Sequence, residues 1–234
     1  GIKNYGLEGT EAVISLAELL NAPITASPGH NDSIPSSHPL YAGTAGPRGS
    51  GLGTNLLKEA DVILVLGSRI GFNTSFYSYE NINEKASIIQ CEIDQKSIGR
   101  YFPVSVGILA DAKTVAKQLY SSLKTAQLKQ EVEDWTHQFK KNKKSYLDQR
   151  EANADSESVP ILSSGLFKEL RGSLPKDAII TLDAGTMCLQ LTDALDFNQP
   201  KSLFTPLDYG LIGFSFPAGL GLKLAAPDRP VVSF

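Results

Sequence analysis

The chain has 234 residues, of which 41% are hydrophobic, 20% charged and 8% aromatic, and this mix is ordinary for a folded globular protein. Its 22 Lys and Arg residues and 25 Asp and Glu residues give a net charge of −3, which argues against a protein that binds nucleic acid through a basic excess. No segment approaches the roughly 20 apolar residues of a membrane-spanning helix, so no membrane association is predicted.

The first half of the chain alternates helices with apolar strands. Apolar residues at helical spacing predict a helix over residues 10–20, and a short strand follows at 24–26. Residues 27–53 are rich in Gly and Pro and too long for a simple connection, which is typical of functional loops. The next predicted elements are a helix at 55–60, strands at 61–67, 87–93 and 104–109, and a helix at 111–123. Continuous apolar strands that alternate with helices predict a parallel α/β sheet.

The second half begins with a polar stretch at residues 125–157, which contains the lysines at 140, 141, 143 and 144. A solvated helix that links two domains explains this charge better than a basic binding site does. A second α/β pattern follows, with a helix at 161–171, a strand at 178–182, a turn at 183–185, a helix at 216–226 and a strand at 230–234. The predicted fold class is therefore α/β, with two doubly wound parallel-sheet domains at residues 1–125 and 158–234 and a helical linker at 126–157.

The two cysteines, Cys91 and Cys188, are far apart and lack the spacing of a metal site or a disulfide framework. The first residues do not form a basic segment followed by an apolar one, as a secretion signal would. Both observations predict a cytoplasmic protein. The chain has no initiator Met, since its one methionine is Met187, and it stops inside a predicted strand. We therefore expect it to be a fragment of a longer protein.

Polar residues follow three successive strands of the first predicted domain. Gly67 and Arg69 follow the most apolar strand, Glu92 and Asp94 the next, and Asp111 the third. The carboxyl ends of parallel strands share one edge of the sheet, where a Gly admits a phosphate, an Arg binds it and a carboxylate accepts ribose hydroxyls. This layout suits an adenine nucleotide. The alternative is that the acidic residues only cap the helices that follow.

The long loop contains a second candidate site, at His30 and Asn31 within the sequence His-Asn-Asp-Ser-Ile-Pro. An imidazole beside Asn and Asp can relay a proton or orient a carbonyl group. The alternative is a loop histidine that only forms hydrogen bonds. Neither His30 nor His38 has a partner at metal-binding spacing, so no metal site is predicted.

Two further segments belong to the second predicted domain. Asp183, Gly185 and Thr186 form a turn of small residues between a strand and a helix, and such a turn presents N–H groups to an anion such as a diphosphate. Gly210 and Gly213 flank a bulky Leu-Ile pair just before a predicted helix. The alternative for these two glycines is close packing of the helix on a strand.

The order of these motifs resembles that of thiamine-diphosphate-dependent enzymes of the acetolactate synthase group. Residues 60–69 (ADVILVLGSR) resemble that group's ADxxLxLGxR segment, and residues 88–94 (IIQCEID) resemble its IIxIDID segment. Residues 210–234 resemble the entry to its diphosphate-binding domain, and the likeness extends over the whole chain. Within the group, the loop at 30–40 and residues 67–71 are most similar to sulfoacetaldehyde acetyltransferases, whereas residues 213–217 fit the synthase branch about as well.

The resemblance implies a dinucleotide-fold-like middle domain that lacks its first strand, and an incomplete thiamine diphosphate-binding domain. It implies that Asp183, Gly185 and Thr186 lie against the diphosphate and aminopyrimidine of the cofactor. Ile212 is expected beneath the two cofactor rings. The backbone at Gly210 is expected to accept a hydrogen bond from the amino group of the cofactor, and Gly213 completes this predicted cofactor site.

The implied activity is that of a 2-oxo acid carboligase or decarboxylase of acetolactate synthase type. The alternative is a sulfoacetaldehyde acetyltransferase, which forms acetyl phosphate and sulfite from sulfoacetaldehyde and phosphate. His30 and Asn31 are expected at the rim of the substrate pocket in either case. The resemblance also implies a homodimer or homotetramer.

Two parts of the catalytic apparatus are expected outside this chain. The resemblance implies that the Glu that activates the cofactor belongs to a missing domain of a neighbouring subunit, and that the Mg²⁺ ligands follow residue 234. The 234 residues alone are therefore expected to be inactive and to bind thiamine diphosphate weakly.

Middle domains of this group bind FAD or ADP in some members and nothing in others. Gly71, Phe72 and Asn73 stand where flavin-binding members tend to have acidic residues and a second Arg, which argues against FAD. Two other interpretations stay open at this point. The chain could be a nucleotide-binding module without catalysis, or its middle domain could only brace a dimer.

Overall fold

The computed structural model describes residues 1–126, 133–155 and 157–234. The helices are α1 Leu7–Leu20, α2 Gly51–Glu59, α3 Phe72–Ser75, α4 Ala112–Leu123, α5 Glu133–Ala152, α6 Ser163–Ser173, α7 Thr186–Ala194 and α8 Ser215–Ala225. The strands are β1 Ile24–Ala26, β2 Tyr41–Thr44, β3 Val62–Leu66, β4 Ser87–Glu92, β5 Val106–Leu109, β6 Ile179–Thr181, β7 Leu203–Phe204 and β8 Val231–Ser233. Every strand pair among the described residues is parallel, which confirms the predicted α/β class.

The strands form three sheets, with the orders β1-β2, β3-β4-β5 and β7-β6-β8. In the first half, β3 is apolar on both faces because helices cover both sides of it. Ile63 and Val65 pack in the cluster that includes α2, whereas Leu64 and Leu66 pack against α1 and α4. In the second half, β6 is fully buried and forms the centre of a separate core.

Strands β2 and β7 were not predicted. β2 lies inside the Gly- and Pro-rich loop and pairs with β1, with Ile24 opposite Tyr41. β7 has only two residues and pairs with β6. Both depend on a partner strand that is distant in the sequence rather than on their own apolar pattern.

Helix α2 begins four residues before its predicted start, at Gly51. The Ser50 hydroxyl accepts a hydrogen bond from the Gly53 N–H at 2.8 Å. This cap satisfies one of the free N–H groups of the first turn, and it offsets the low helix propensity of the two glycines there.

Helix α5, in the predicted linker, packs on both halves of the molecule. Phe139 is buried with Ala42 and Leu56 of the first half, and the Tyr146 hydroxyl donates to Asp193 of α7 at 2.8 Å. Of the four clustered lysines, only Lys143 is half-buried, and its ammonium group donates to the His38 carbonyl at 2.6 Å. Residues 127–132 and 156 of the predicted linker lie outside the described residues.

Asp32 joins the long loop to the second half. Its side chain is fully buried, and Oδ2 accepts hydrogen bonds from the N–H groups of Ser202 at 2.9 Å and Leu203 at 3.1 Å. The Lys3 ammonium lies 3.2 Å from Oδ1. Asp32 therefore links the two halves through its hydrogen bonds to Ser202 and Leu203, and its ion pair with Lys3 lies within the first half. None of the helices in the described ranges combines the length and apolar character that a membrane crossing requires.

Candidate functional site

The turn after β6 is organised by the Asp183 carboxylate. It accepts hydrogen bonds from the N–H groups of Gly213 at 2.7 Å, Phe214 at 2.8 Å and Ser215 at 2.6 Å. These bonds, first that from Ser215, hold the pKa of Asp183 below its usual range. Asp183 is therefore ionised at neutral pH, and its role in this geometry is to hold the segment before α8 against the end of β6.

Helix α7 begins beside this turn with an open N-terminus. No side chain caps it, and Gly185 and Thr186 are exposed. Within the described ranges, the N–H groups of these two residues have no protein acceptor. Free N–H groups at the start of a helix attract an anion, and the helix dipole adds to that attraction. This geometry favours an anion at the start of α7, and the contacts of Gly185 and Thr186 with a diphosphate stay a prediction.

Residues 209–213 form an exposed loop on the same side. Gly210 has φ +65° and Gly213 φ +79°, a left-handed conformation that favours Gly. Between them, Ile212 is 83% exposed, and the Leu211 carbonyl accepts a hydrogen bond from the Ala184 N–H at 3.0 Å. The loop is therefore fixed to the turn, yet it presents an uncovered bulky apolar side chain next to the α7 N-terminus.

Together these residues fit thiamine diphosphate. The free N–H groups of α7 suit the diphosphate, and Ile212 offers an apolar contact for the rings. Within the described part of the chain, no group of three or more His, Cys, Asp or Glu side chains could hold a metal ion.

Arg69 reaches from the first half to the loop of this site. Its guanidinium Nη2 lies 3.3 Å from Asp208 Oδ2, and the Asn73 amide donates to the other carboxylate oxygen at 3.5 Å. Gly67 has φ +66°, and a Cβ there would lie 3.1 Å from the Gly1 Cα. The structure thus brings Arg69 to Asp208, a residue that sequence reasoning missed although it stands two positions before Gly210.

The three acidic residues predicted for ribose binding are occupied by local hydrogen bonds. Asp111 accepts from the Thr114 N–H at 2.8 Å and from the Tyr5 hydroxyl, and this second bond is the first cause of its lowered pKa. Asp94 accepts from the Lys96 N–H at 3.1 Å. Glu92 accepts from the N–H of its own neighbour, Ile93, at 2.8 Å. These contacts favour the alternative that Asp94 and Asp111 cap the segments that follow.

His30 and Asn31 differ in their surroundings. His30 is exposed at the junction of the two halves, where desolvation, followed by the positive charge of Lys3, lowers its pKa. Asn31 is buried, and its side-chain amide donates to the Thr192 carbonyl of α7. The Oδ1 atom of Asn31 has no partner among the described residues. Burial favours a structural role for Asn31, whereas His30 is accessible to a ligand.

Replacing Arg69 with Ala is expected to have a small effect. An exposed ion pair contributes less than about 1 kcal/mol, so the affinity of the full-length protein for thiamine diphosphate should fall no more than about fivefold. Calorimetric titration with thiamine diphosphate and Mg²⁺ measures this. A larger loss in Arg69→Ala than in Asp208→Ala would contradict the ion pair as the reason, since both changes remove the same contact.

Comparison with known proteins gives the family. Residues 2–119 match "Thiamine pyrophosphate enzyme, central domain", and residues 183–234 match "Thiamine pyrophosphate enzyme, C-terminal TPP binding domain". A sulfoacetaldehyde acetyltransferase of Castellaniella defragrans is 32% identical over 97% of this chain and 41% of that protein. A probable acetolactate synthase large subunit of Methanococcus aeolicus is 28% identical, over 95% of this chain and 38% of that protein.

A probable 2-ketoarginine decarboxylase of Pseudomonas aeruginosa is also similar, with 27% identity over 96% of this chain and 38% of that protein. The chain thus spans about 40% of the length of the curated relatives it matches. The central-domain match covers half of the chain, and the second match includes the turn at Asp183 and the loop at Ile212. The chain therefore belongs to the thiamine pyrophosphate enzyme family.

Proposed function

We propose that this chain contributes the middle domain and part of the cofactor domain of a thiamine-diphosphate-dependent enzyme that acts on a small carbonyl substrate. The observation that carries this proposal is the Asp183 carboxylate, which fixes the loop with Ile212 beside the open N-terminus of α7. The proposed domains are residues 1–125 and 158–234, with the linker at 126–157. A cytoplasmic location is part of the proposal.

The residues of this chain bind and orient the cofactor. The N–H groups of Gly185 and Thr186 would donate to the diphosphate, and Mg²⁺ would accompany it. Ile212 would support the rings, and the Gly210 carbonyl would accept a hydrogen bond from the cofactor amino group. When bound, thiamine diphosphate supplies a nucleophilic carbon and an electron sink for breaking or forming a bond next to a carbonyl group.

Replacing Ile212 with Ala tests the support of the rings. The side chain is 83% exposed, so its truncation should leave the melting temperature of the cofactor-free protein unchanged. If Ile212 orients the cofactor, kcat/KM of the full-length enzyme should fall about 10- to 100-fold. Steady-state kinetics and a thermal melt measure the two effects. Ile212→Leu keeps the bulk and serves as the control, and full activity of Ile212→Ala would contradict the assigned role.

For the substrate, we propose sulfoacetaldehyde with phosphate as the acceptor. A sulfoacetaldehyde acetyltransferase is 32% identical to this chain, against 28% for a probable acetolactate synthase large subunit. The loop with His30, which resembles that branch, lies at the junction of the two halves. The second candidate is a carboligase or decarboxylase of 2-oxo acids of acetolactate synthase type, and the similarity to that group supports it.

The experiment uses the full-length protein with thiamine diphosphate and Mg²⁺. It receives sulfoacetaldehyde and phosphate in one assay and pyruvate alone in another. Acetyl phosphate together with sulfite would support the acetyltransferase, and acetolactate would support the synthase. Absence of both products, with tight cofactor binding retained, would overturn both the acetyltransferase and the acetolactate synthase as proposed activities.

The proposal includes a homodimer or homotetramer. Phe216, Leu220 and Leu224 lie on one side of α8 and are 68%, 55% and 85% exposed, and an apolar stripe of this kind is typical of a subunit interface. Light scattering of the full-length protein measures the mass, and a monomer would contradict the proposal. FAD or ADP in the middle domain is the remaining cofactor alternative, and a yellow protein with flavin absorption would support FAD.

A further inference from the structure

The long Gly- and Pro-rich loop contains, near its end, a tight turn that carries an arginine. In the sequence Gly46-Pro47-Arg48-Gly49, the Gly49 N–H donates to the Gly46 carbonyl at 2.9 Å. This bond closes a four-residue turn with Pro at its second position, where the fixed φ of Pro is favoured. The Thr54 hydroxyl of α2 donates to the same carbonyl at 2.8 Å. The turn is therefore held by two hydrogen bonds, and Arg48 is exposed on it.

This turn packs on the segment that follows β3. A Cβ atom at Gly46 would lie 2.5 Å from the carbonyl oxygen of Asn73, so no side chain fits between the two. The Asn73 amide in turn donates to Asp208 Oδ1 at 3.5 Å. Asp208 stands two positions before Gly210 of the candidate cofactor site. The turn with Arg48 therefore adjoins that site through Asn73.

Two aromatic rings position the guanidinium of Arg48. Its Cζ lies 5.2 Å from the ring centroid of Phe76 and 5.9 Å from that of Phe72. The two rings are stacked on each other, with their centroids 4.7 Å apart. Cation–π contacts of this length are attractive, and they restrict a side chain that otherwise has many rotamers. The guanidinium is therefore held beside α3, the helix that contains Asn73.

The backbone beneath these rings has an unfavourable conformation. Phe76 and Tyr77 have φ of +51° and +56°, in the left-handed region that bulky residues rarely adopt. The buried Ser75 hydroxyl fixes this conformation, since it donates to the Ile70 carbonyl at 3.2 Å and accepts from the Tyr77 N–H at 3.1 Å. Strained backbone of this kind is concentrated at functional sites. The strain therefore indicates that the position of the Phe76 ring serves more than packing.

The positive charge of Arg48 is not neutralised by the protein. Among the described residues, no carboxylate forms an ion pair with Arg48, and none of its N–H groups has an acceptor. Arg69, by contrast, is paired with Asp208. The Asp208 carboxylate, which contacts both Arg69 and Asn73, shows that an anion is accommodated on this side of the cofactor loop. The guanidinium of Arg48 is therefore available for an anion from solution.

We propose that Arg48 is a specificity-determining residue that binds the anionic group of the substrate. This inference rests on the proposed function, because the anion is the sulfonate of the carbonyl substrate or the phosphate acceptor. Both groups are tetrahedral oxyanions, and the planar fork of a guanidinium binds such a group through two parallel N–H bonds. The long loop at residues 27–53 thus contributes to substrate recognition.

Two other roles fit Arg48 less well. If the guanidinium only covered the two rings, an apolar side chain would do so without a charge, and the strained backbone below would have no use. If it served to hold the turn, its N–H groups would donate to protein acceptors. Those of Arg171 do so, to the Ala194 carbonyl at 2.9 Å and to Glu151 at 2.6 Å.

Binding of unreactive anions to the full-length protein tests this proposal without catalysis. Ethanesulfonate, which has a sulfonate but no carbonyl group, and inorganic phosphate are titrated in separate calorimetric experiments in the absence of thiamine diphosphate. Arg48→Ala should weaken the binding of at least one of them by about 10- to 100-fold, as expected for the loss of a charge-assisted pair. A loss for ethanesulfonate assigns Arg48 to the sulfonate of the substrate, and a loss for phosphate alone assigns it to the acceptor.

Arg100→Ala is the matched control. Arg100 is also exposed, and its Cζ lies 5.2 Å from the ring centroid of Tyr101, so its removal should leave both affinities unchanged. Arg48→Lys keeps the charge without the planar fork and should have an intermediate affinity. Normal affinity of Arg48→Ala for both anions, with only a lower melting temperature, would overturn the proposal and leave Arg48 a packing role. The absence of binding of either anion to the wild-type protein would also overturn it.

Steady-state kinetics separate this proposal from the proposed function. Arg48→Ala should raise KM for the anionic substrate that the enzyme accepts by about 10- to 100-fold and change kcat less than about threefold, because binding rather than chemistry is affected. Anion binding that depends on Arg48, combined with no turnover by the wild-type protein, would support this site and contradict the proposed activity. Turnover with an unchanged KM in Arg48→Ala would contradict only the role of Arg48.

Discussion

Replacing Asp183 with Ala is expected to lower kcat/KM of the full-length enzyme by at least about 100-fold, the scale observed when a preorganised element of an active site is removed. The carboxylate accepts three N–H groups, from Gly213, Phe214 and Ser215. Without it, these donors have no partner, and the loop with Ile212 loses its attachment at one end. Cofactor affinity, measured by calorimetry with Mg²⁺ present, should fall together with the activity.

Two variants serve as controls for this prediction. Asp183→Asn keeps one carbonyl oxygen that can accept from Phe214 and Ser215, so its loss should be intermediate. Asp228→Ala removes an exposed carboxylate of the same half and should leave both the activity and the cofactor affinity unchanged. If Asp183→Ala retained normal cofactor affinity, the assignment of this turn to the cofactor would be wrong.

The pH dependence of this effect follows from the direction of the pKa shift. Because the pKa of Asp183 is lowered in the folded protein, the stabilisation is fully present above the unfolded value of about 3.9. It is lost as the pH falls through the lower folded pKa. Asp183 therefore stays ionised between about pH 5 and pH 8. In this range, cofactor affinity should depend on pH in the same way in the wild-type protein and in Asp183→Asn.

Replacing Asp32 with Ala is expected to reduce the free energy of unfolding by about 3–5 kcal/mol, the cost of removing one partner of a buried ion pair. The change leaves the Lys3 ammonium without its counter-ion and the N–H groups of Ser202 and Leu203 without their acceptor. It therefore acts on the junction of the two halves. Urea denaturation, followed by circular dichroism, measures the effect.

The charge and the hydrogen bonds of Asp32 can be separated. Asp32→Asn keeps an acceptor for the two N–H groups and loses only the charge, so it should cost less than Asp32→Ala. Glu11→Ala removes an exposed carboxylate of α1 and should change the free energy of unfolding by less than about 0.5 kcal/mol. Equal losses in Asp32→Ala and Glu11→Ala would show that the junction does not depend on Asp32.

The sequence predicts the elements whose own residues decide their conformation. β3 and β4 were predicted to within one residue at each end, because their continuous apolar runs suit a strand buried on both faces. β2 and β7 escaped prediction because they owe their conformation to a partner strand. The start of α2 escaped prediction because Gly51 and Gly53 have a low helix propensity, whereas the cap at Ser50 allows the helix to begin there.

The same distinction between local and distant interactions applies to the candidate site. The turn at Asp183 could be read from small residues between a strand and a helix, but the direction of its carboxylate could not. That carboxylate bonds to residues about 30 positions later, and Arg69 lies 139 positions before its partner Asp208. No local pattern reports such contacts, because they depend on how the two halves are packed together. The roles of the predicted site residues in catalysis stay predictions.

The packing of helix α5 has a consequence for chimeras made from related proteins. It buries Phe139 in the first half and forms a hydrogen bond through Tyr146 to α7 in the second half. Both halves therefore depend on the sequence of this helix. A chimera that joins the middle domain of one relative to the cofactor domain of another, with its crossover outside α5, would mismatch one of these two contacts. Functional recombinants of that kind should therefore also carry compensating changes along this helix.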